Sequence, residues 1–518
     1  MVRHLPRSLH HVLRWLRHAR ENEGDNDDRR RRNLAMAETE VRQVSLRTRL
    51  TFGIGSAAEQ ICLYSFGLLA MLYYNQVLGL SATLAGLAPT LALVFDAVSD
   101  PLIGSISDRF KAKKWGRRHP FMFAAPLPVA LCFFAIFNPP DALAGFGLFL
   151  WFMGFAVALR TFMTLFHVPH LALGGELSSN YLERSKIMSY NNFFGWIGAA
   201  GTFYIALTFA FAPTAEYANG LLNPDAYPVF SAIAAVVVFF ILYSSAWFTR
   251  DQIPRLSQPP ENQPKFSLLE FWSDIQAVLI NRNYVFLLIA LFFLSIMIGT
   301  RAAFNLYMNT YYFEFLPAQV ALYVIGSAVG YIAAFSLTTR IHRHFDKRAT
   351  IVASAILLSI VPALPVMLRM AGYFPDNGTP LLLPLMIVFS GLGGICGAVL
   401  NISVMSALAD IADENELLYG KRQEGMLFAA RTFFSKADQA LGHFLAGVTL
   451  DIIQFPVQST PGEVDADVIY WLGLADSPLT IIPGLIGACF YAGYRISKKR
   501  HTDIQEKLQV RRSGMLRA

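Results

Sequence analysis

The sequence predicts an all-α membrane protein with twelve transmembrane helices in two six-helix halves, and three observations carry that reading. Hydrophobic residues make up 54% of the chain and charged ones only 15%, against about a quarter charged in a soluble protein. Twelve apolar runs come near the roughly 20 residues that cross a hydrocarbon layer. Lysine and arginine collect in every second loop between those runs, which is the asymmetry that sets membrane orientation.

Taken in order, residues 1–46 form a basic tail. Residues 1–32 are His-rich and end in the arginine run 29–32, with no apolar core long enough for a signal peptide. Met36 offers an alternative start. The first six apolar runs lie near 50–74, 84–107, 120–137, 144–166, 192–212 and 229–248, giving an N-terminal half over 47–248. The stretch 249–283, with Pro254, Pro259, Pro260 and Pro264, reads as a central loop between halves. The second six runs lie near 284–307, 318–337, 351–370, 381–408, 426–450 and 477–494. They make a C-terminal half over 284–496, followed by a tail over 497–518.

An even number of runs puts both termini on one side. The loop after run 2 carries Arg109, Lys111, Lys113, Lys114, Arg117 and Arg118, and the loop after run 8 carries Arg340, Arg343, Lys347 and Arg348. Lys421 and Arg422 follow run 10, and Lys498, Lys499 and Arg500 follow run 12. Loops at 75–83, 138–145 and 454–467 hold no Lys or Arg. The expectation is a multi-pass inner (plasma) membrane protein with both termini and the central loop cytoplasmic. The basic turn after run 2 and its counterpart at 340–348, one half later, also form a faint internal repeat.

Net charge is +7 and the pI about 9.1. These charges sit in short loops between apolar runs, so the expected partner is the anionic leaflet of the bilayer rather than nucleic acid. Cys62, Cys132, Cys396 and Cys489 all lie inside apolar runs without paired spacing and read as small hydrophobes. The loops contain neither a Walker motif nor metal-ligand spacing, which argues against an ATP-driven pump, and no cofactor is expected.

Charges inside the runs are the informative exceptions, because each costs roughly 2.5–3.5 kcal/mol at a helix centre and tends to be paired and functional. Asp96 and Asp100 in run 2 are four residues apart, so with Ser99 they share one helical face. Two carboxylates on one face repel unless a proton or cation sits between them. Lys436 falls in the middle of run 11; directed at the pair, it leaves a net charge of minus one, room for one monovalent cation or one proton. The alternative is a structural network that locks run 2 to run 11. Arg160, Thr164 and His167 line one face of run 4, and Glu59 and Gln60 lie in run 1. Arg301 and Asp438 are charges in runs 7 and 11 with no evident partner.

Three strings of residues resemble one family. The first is Phe95-Asp96-Ala97-Val98-Ser99-Asp100-Pro101, continuing to Asp108-Arg109 and Trp115-Gly116-Arg117-Arg118-His119-Pro120. The second is Ala409-Asp410-Ile411-Ala412-Asp413, with Arg422-Gln423-Glu424-Gly425 and Phe434-Ser435-Lys436; the third is Phe166-His167-Val168-Pro169 with Glu183-Arg184. Together they resemble the glycoside–pentoside–hexuronide:cation symporter family of the major facilitator superfamily. That resemblance implies a major-facilitator fold and alternating access, with sodium or a proton co-transported with a sugar or glycoside. It implies a cation site of Asp96, Asp100 and Thr164, with Ser99 where the family has asparagine; Asp96 and Asp100 are metal ligands if the ion is sodium. Lys436 takes the coupling-lysine position.

The family's sugar site does not carry over. Gln60 and His167 stand where sugar-binding aspartates are expected, Asn192 replaces an arginine and Leu171 a stacking tryptophan. The expected substrate set is therefore Glu59, Gln60, His167 and Asn192, suited to a different hydroxyl pattern. Asp108, Arg109, Arg117 and Arg118 are expected to form an inner gate with Asp410 or Asp413 of the other half. Phe166-His167-Val168-Pro169 also resembles sodium-dependent lysophospholipid symporters, so a lysolipid substrate is the alternative, with a non-transporting membrane sensor as a third class.

Overall fold

The computed structural model describes residues 44–110, 112, 114–178, 180–256, 276, 279–420 and 424–515, with only the backbone for 181, 255, 424–426, 428–430, 432–439 and 512–515. Every regular element among them is helical. In chain order the first half holds α1 (Leu46–Val77), α2 (Ala82–Arg109), α3 (His119–Ile136), α4 (Gly145–Glu176), α5 (Leu182–Ala210) and α6 (Ala226–Pro254). The second holds α7 (Arg282–Tyr312), α8 (Pro317–His344), α9 (Lys347–Met370), α10 (Leu382–Tyr419), α11 (Glu424–Ile452) and α12 (Ala466–Tyr491). A terminal helix, α13 (Lys498–Met515), follows. Eleven of these helices are long and apolar enough to cross a membrane; α11 contributes the shorter apolar stretch Ala440–Ile452.

Local sequence sets the helix starts. Ser45 caps α1 by accepting from the Thr48 amide, Asn180 accepts from the amides of Leu182 and Glu183, and Asn281 accepts from those of Asn283 and Tyr284. Each satisfies an orphan amide of a first turn. On α6, Val229, Ile233, Val236 and Phe240 repeat at helical spacing and are exposed, as a lipid-facing stripe should be.

Several helices outrun the apolar windows that announce them. Helix α4 continues ten residues past the expected end at 166, and α10 continues to Tyr419. Hydropathy stops at the first polar residues, whereas backbone hydrogen bonding continues beyond the hydrocarbon. Run 12 was expected from 477 but its helix starts at Ala466, because the polar Asp476 lies inside the span, buried in a π-turn. The C-terminal segment expected as a tail is the helix α13, packed on α10 and the end of α12 through Ile504 and Leu508. Arg500 pairs with Glu414 at 2.5 Å, and Gln505 donates to Asp413 at 2.6 Å. Most of the N-terminal tail (1–43) and much of the central loop (257–275) fall outside the described residues.

The two halves meet at one end of the bundle. At the end opposite the basic loops, Tyr307 donates to Asn75 at 2.9 Å, Tyr311 donates to Gln76 at 2.8 Å, and Gln76 donates to the Pro456 carbonyl at 2.9 Å. Asp451 of α11 accepts from the first amides of α2, Ala82 at 3.1 Å and Thr83 at 2.8 Å. Ser81 makes no capping hydrogen bond to this helix, so the cap comes from the other half. Helices α2 and α11 touch through glycine: a Cβ at Gly86 would meet the His443 carbonyl at 2.6 Å, and one at Gly447 would collide with the Ala82 carbonyl. One apolar core runs through both halves here, from Phe66 and Tyr74 to Tyr307 and Leu450. Towards the basic end a separate core, around Tyr284, Leu408 and Tyr494, belongs to the second half alone.

Among the described residues, four π-turns lie at this closed end. They are Tyr73–Val77 at the end of α1, Ala206–Ala210 at the end of α5, Met308–Tyr312 at the end of α7, and Ala475–Leu479 in the outer part of α12.

Candidate functional site

The carboxylates of α2 share one helical face, as their spacing implies, and that face meets α4. Asp96 is 5% exposed. The Thr164 hydroxyl lies 2.8 Å from Asp96 Oδ1 and 2.9 Å from Asp100 Oδ1, so one oxygen joins both carboxylates. Ser99 lies on the same helix turn, and its hydroxyl donates to the Asp96 backbone carbonyl at 3.2 Å. Arg160, one turn before Thr164, sends Nη1 to Asp96 Oδ2 at 3.3 Å. Sequence spacing placed Arg160 on this face of α4 but not opposite Asp96. Two carboxylates and one guanidinium give the described cluster a net charge of minus one. The side chains of Lys436 and Asp438 lie outside the described residues.

The four residues expected to bind substrate divide into two pairs. Glu59 on α1 is buried, and its Oε2 lies 2.7 Å from His167 Nδ1 on α4, an ion-pair distance not aligned as a hydrogen bond. Gln60 and Asn192 instead line a cavity of about 480 Å³ between α1, α5 and α8, with Trp196 and Tyr331. A second cavity of about 620 Å³ lies between the halves and shares Tyr64, Val324 and Ser327 with the first. Neither cavity has Glu59 or His167 in its wall. Adjacent residues of α1 point about 100° apart, so Gln60 reaches the cavity while Glu59 turns to α4.

The larger cavity brings in charges that the sequence left unpaired. Arg301 of α7 lies 3.5 Å from Asp476 of α12, and both line the wall. Asp476 escaped sequence reasoning because it was placed just outside run 12.

Among the described contacts, the residues expected to form the inner gate pair within their own halves. Arg118 pairs with Asp108 at 2.5 Å and with Glu176 at 2.8 Å, while Arg117 pairs with Glu176 at 2.6 Å, all within the first half. Arg109 sits in the last turn of α2 beside them. In the second half, Asp410 pairs with Lys347 at 2.7 Å and His501 at 3.3 Å, and Asp413 lies 3.3 Å from His501. The hydrogen bonds described above between the halves lie towards the opposite end, where the halves close on each other. Glu176, at the end of α4, was missed because the apolar window had already ended.

Comparison with known proteins agrees with this architecture. Residues 51–498 match the family model described as MFS/sugar transport protein. An uncharacterized symporter of Synechocystis sp. is 25% identical, with 90% of this chain and 97% of the relative aligned. The isoprimeverose transporter of Lactiplantibacillus pentosus is 24% identical over 87% of this chain and 90% of its own. Among solved structures, a nucleoside transporter superposes with a TM-score of 0.59 at 13% identity, covering 86% of this chain and all of the other, a likeness of fold alone. The chain is a multi-pass membrane transporter, and it belongs to the MFS/sugar transport protein family, the glycoside–pentoside–hexuronide group that its motifs resemble.

Proposed function

We propose that the protein is an inner-membrane symporter that lets Na⁺ or H⁺ run downhill to drive uptake of a sugar or glycoside by alternating access. The observation that carries this reading is the single Thr164 hydroxyl placed against two carboxylates. A hydroxyl has one proton to donate. It hydrogen-bonds one carboxylate at a time, and the second close oxygen contact is satisfied when a proton sits on one carboxyl or a cation lies among the oxygens. Asp96, Asp100 and Thr164 are the proposed ligands, with Ser99 supplying a further oxygen and Lys436 the coupling charge. The name of the isoprimeverose transporter supports the substrate class.

Orientation follows from the basic loops, which put that end and both termini in the cytoplasm. The state described is then inward-facing. Asp108, Arg109, Arg117, Arg118, Asp410 and Asp413 re-pair across the halves when the inner end closes.

The test is uptake into proteoliposomes with an imposed sodium or pH gradient, using labelled isoprimeverose, methyl glycosides and a lysophospholipid. Gradient-driven sugar accumulation that disappears in Asp100→Asn is the expected result. Accumulation of the lysolipid alone would replace the substrate class, and sugar flux indifferent to both gradients would remove the coupling.

A further inference from the structure

The ion pair Arg301–Asp476 lies in the wall of the 620 Å³ cavity, away from the carboxylate cluster of α2. It is a loose pair. Charge-assisted N–H···O⁻ bonds close to about 2.7–2.9 Å, whereas these atoms stand 3.5 Å apart. Arg301 Nη2 donates instead to the Pro362 carbonyl at 2.8 Å, and Nη1 is buried with no hydrogen-bond partner. Asp476 is 5% exposed and accepts from the Ser477 hydroxyl at 3.0 Å. A buried pair contributes little unless its remaining donors and acceptors are filled, and here a loosely held pair is left in the wall of a cavity.

The surroundings say what fills it. Asn305 and Asn309 follow Arg301 at four-residue steps on one face of α7, and both line the same cavity. That makes a ladder of donors and acceptors with about 6 Å between rungs, while Tyr64 faces it from the first half. A guanidinium donates and a carboxylate accepts, so side by side they match two neighbouring hydroxyls, each of which does both. The pair is neutral as a unit. An anionic ligand drawn to Arg301 meets Asp476, and a cationic one meets the reverse, so the preferred guest is uncharged.

We infer that Arg301 and Asp476 are the second half's contribution to the substrate site, holding two adjacent hydroxyls of an uncharged pyranoside ring. This rests on the sugar reading above and extends it to α7 and α12.

The experiment is a thermal-shift titration of the purified full-length chain with methyl pyranosides of xylose, glucose and galactose, and with the monodeoxy analogues of the best binder. In wild type, removing one hydroxyl of the bound pair should weaken binding about tenfold. Arg301→Gln and Asp476→Asn should each weaken the parent glycoside about 10- to 100-fold. In Asp476→Asn the parent and the sensitive deoxy analogue should then bind alike. A helix-to-helix strut would instead lower the melting temperature and weaken every ligand in proportion. Asp476→Glu, which keeps the charge one methylene further out, should shift the preference among the three sugars and serves if the neutral variants do not fold. Folded variants that bind glycosides like wild type, or an unchanged preference in Asp476→Glu, would overturn this assignment alone. Failure of every glycoside to stabilise the wild type would overturn the sugar reading with it.

Discussion

Replacing Arg160 with glutamine should tighten cation binding, the opposite of the usual outcome of removing a buried ion-pair partner. Arg160 Nη1 holds Asp96 Oδ2 at 3.3 Å and both side chains are largely buried. A monovalent cation seated against Asp96 would lie about 5 Å from that guanidinium. Like charges at about 5 Å repel by about 3 kcal/mol at an effective dielectric near 20, and by about 0.8 kcal/mol in bulk water. At 1.4 kcal/mol per tenfold, Arg160→Gln should lower the dissociation constant for Na⁺ about four- to 140-fold, or raise the apparent affinity for protons comparably. Turnover should fall, since a more tightly held ion leaves more slowly. Arg160→Lys keeps the charge and is the control for folding. The assay is radiolabelled sodium binding to purified protein across pH, alongside proteoliposome uptake. Weaker cation binding in Arg160→Gln with normal binding in Arg160→Lys would refute the idea that the arginine competes with the ion, and would make it a scaffold for Asp96.

Three further outcomes follow from the geometry. Thr164→Val removes the hydroxyl between Asp96 and Asp100 while keeping its shape. Cation affinity should drop by about 1.5–3 kcal/mol, the value of a hydrogen bond to a charged group, while ion-free glycoside binding stays put; unchanged sodium titration would contradict it. Asp451→Ala strips the cross-half cap from α2; losing about 1 kcal/mol, the closed end should open more often, read as faster labelling of a cysteine introduced at Gln76. Deleting residues 498–518 exposes the α10 surface covered by Ile504 and Leu508, which are 5% and 1% exposed. About 1.5–3 kcal/mol per side chain is at stake, so melting temperature should fall; an unaltered melt would show that α13 is only an attachment.

The membrane-spanning runs of the chain were legible because hydropathy is a property of windows. That Asp96 and Asp100 share a face was legible from helical spacing, whereas Thr164 as their partner came only from the family resemblance. What escaped depends on direction or on window edges. Glu59 and Gln60 are sequence neighbours with different destinations, which a helical angle decides and a local match does not. Asp476 and Glu176 were lost at the edges of apolar windows, although each sits inside a helix. Helix α13 carried a readable signal, Ile504 and Leu508 one turn apart in a charged background, but two apolar residues rarely announce a docked helix by themselves. The gate partners could not have been read, since one sequence serves both the open and the closed pairing.

The π-turns give the closed end a kind of slack that a rigid rocker lacks. Each wide turn stores one residue more than an α-turn of the same span. Rewinding it to α geometry rotates everything beyond it by about 100° and advances it by about 1.5 Å. Tyr73–Val77 and Met308–Tyr312 occupy corresponding places in the two halves and carry the side chains that bolt them together, Asn75 and Gln76 on one side and Tyr311 on the other. Winding in a single residue therefore withdraws a whole set of bolts without bending a helix, a latch thrown by screw motion. Its signature is amide exchange at 73–77 and 308–312 that quickens whenever the outer end opens, while the helices below stay protected.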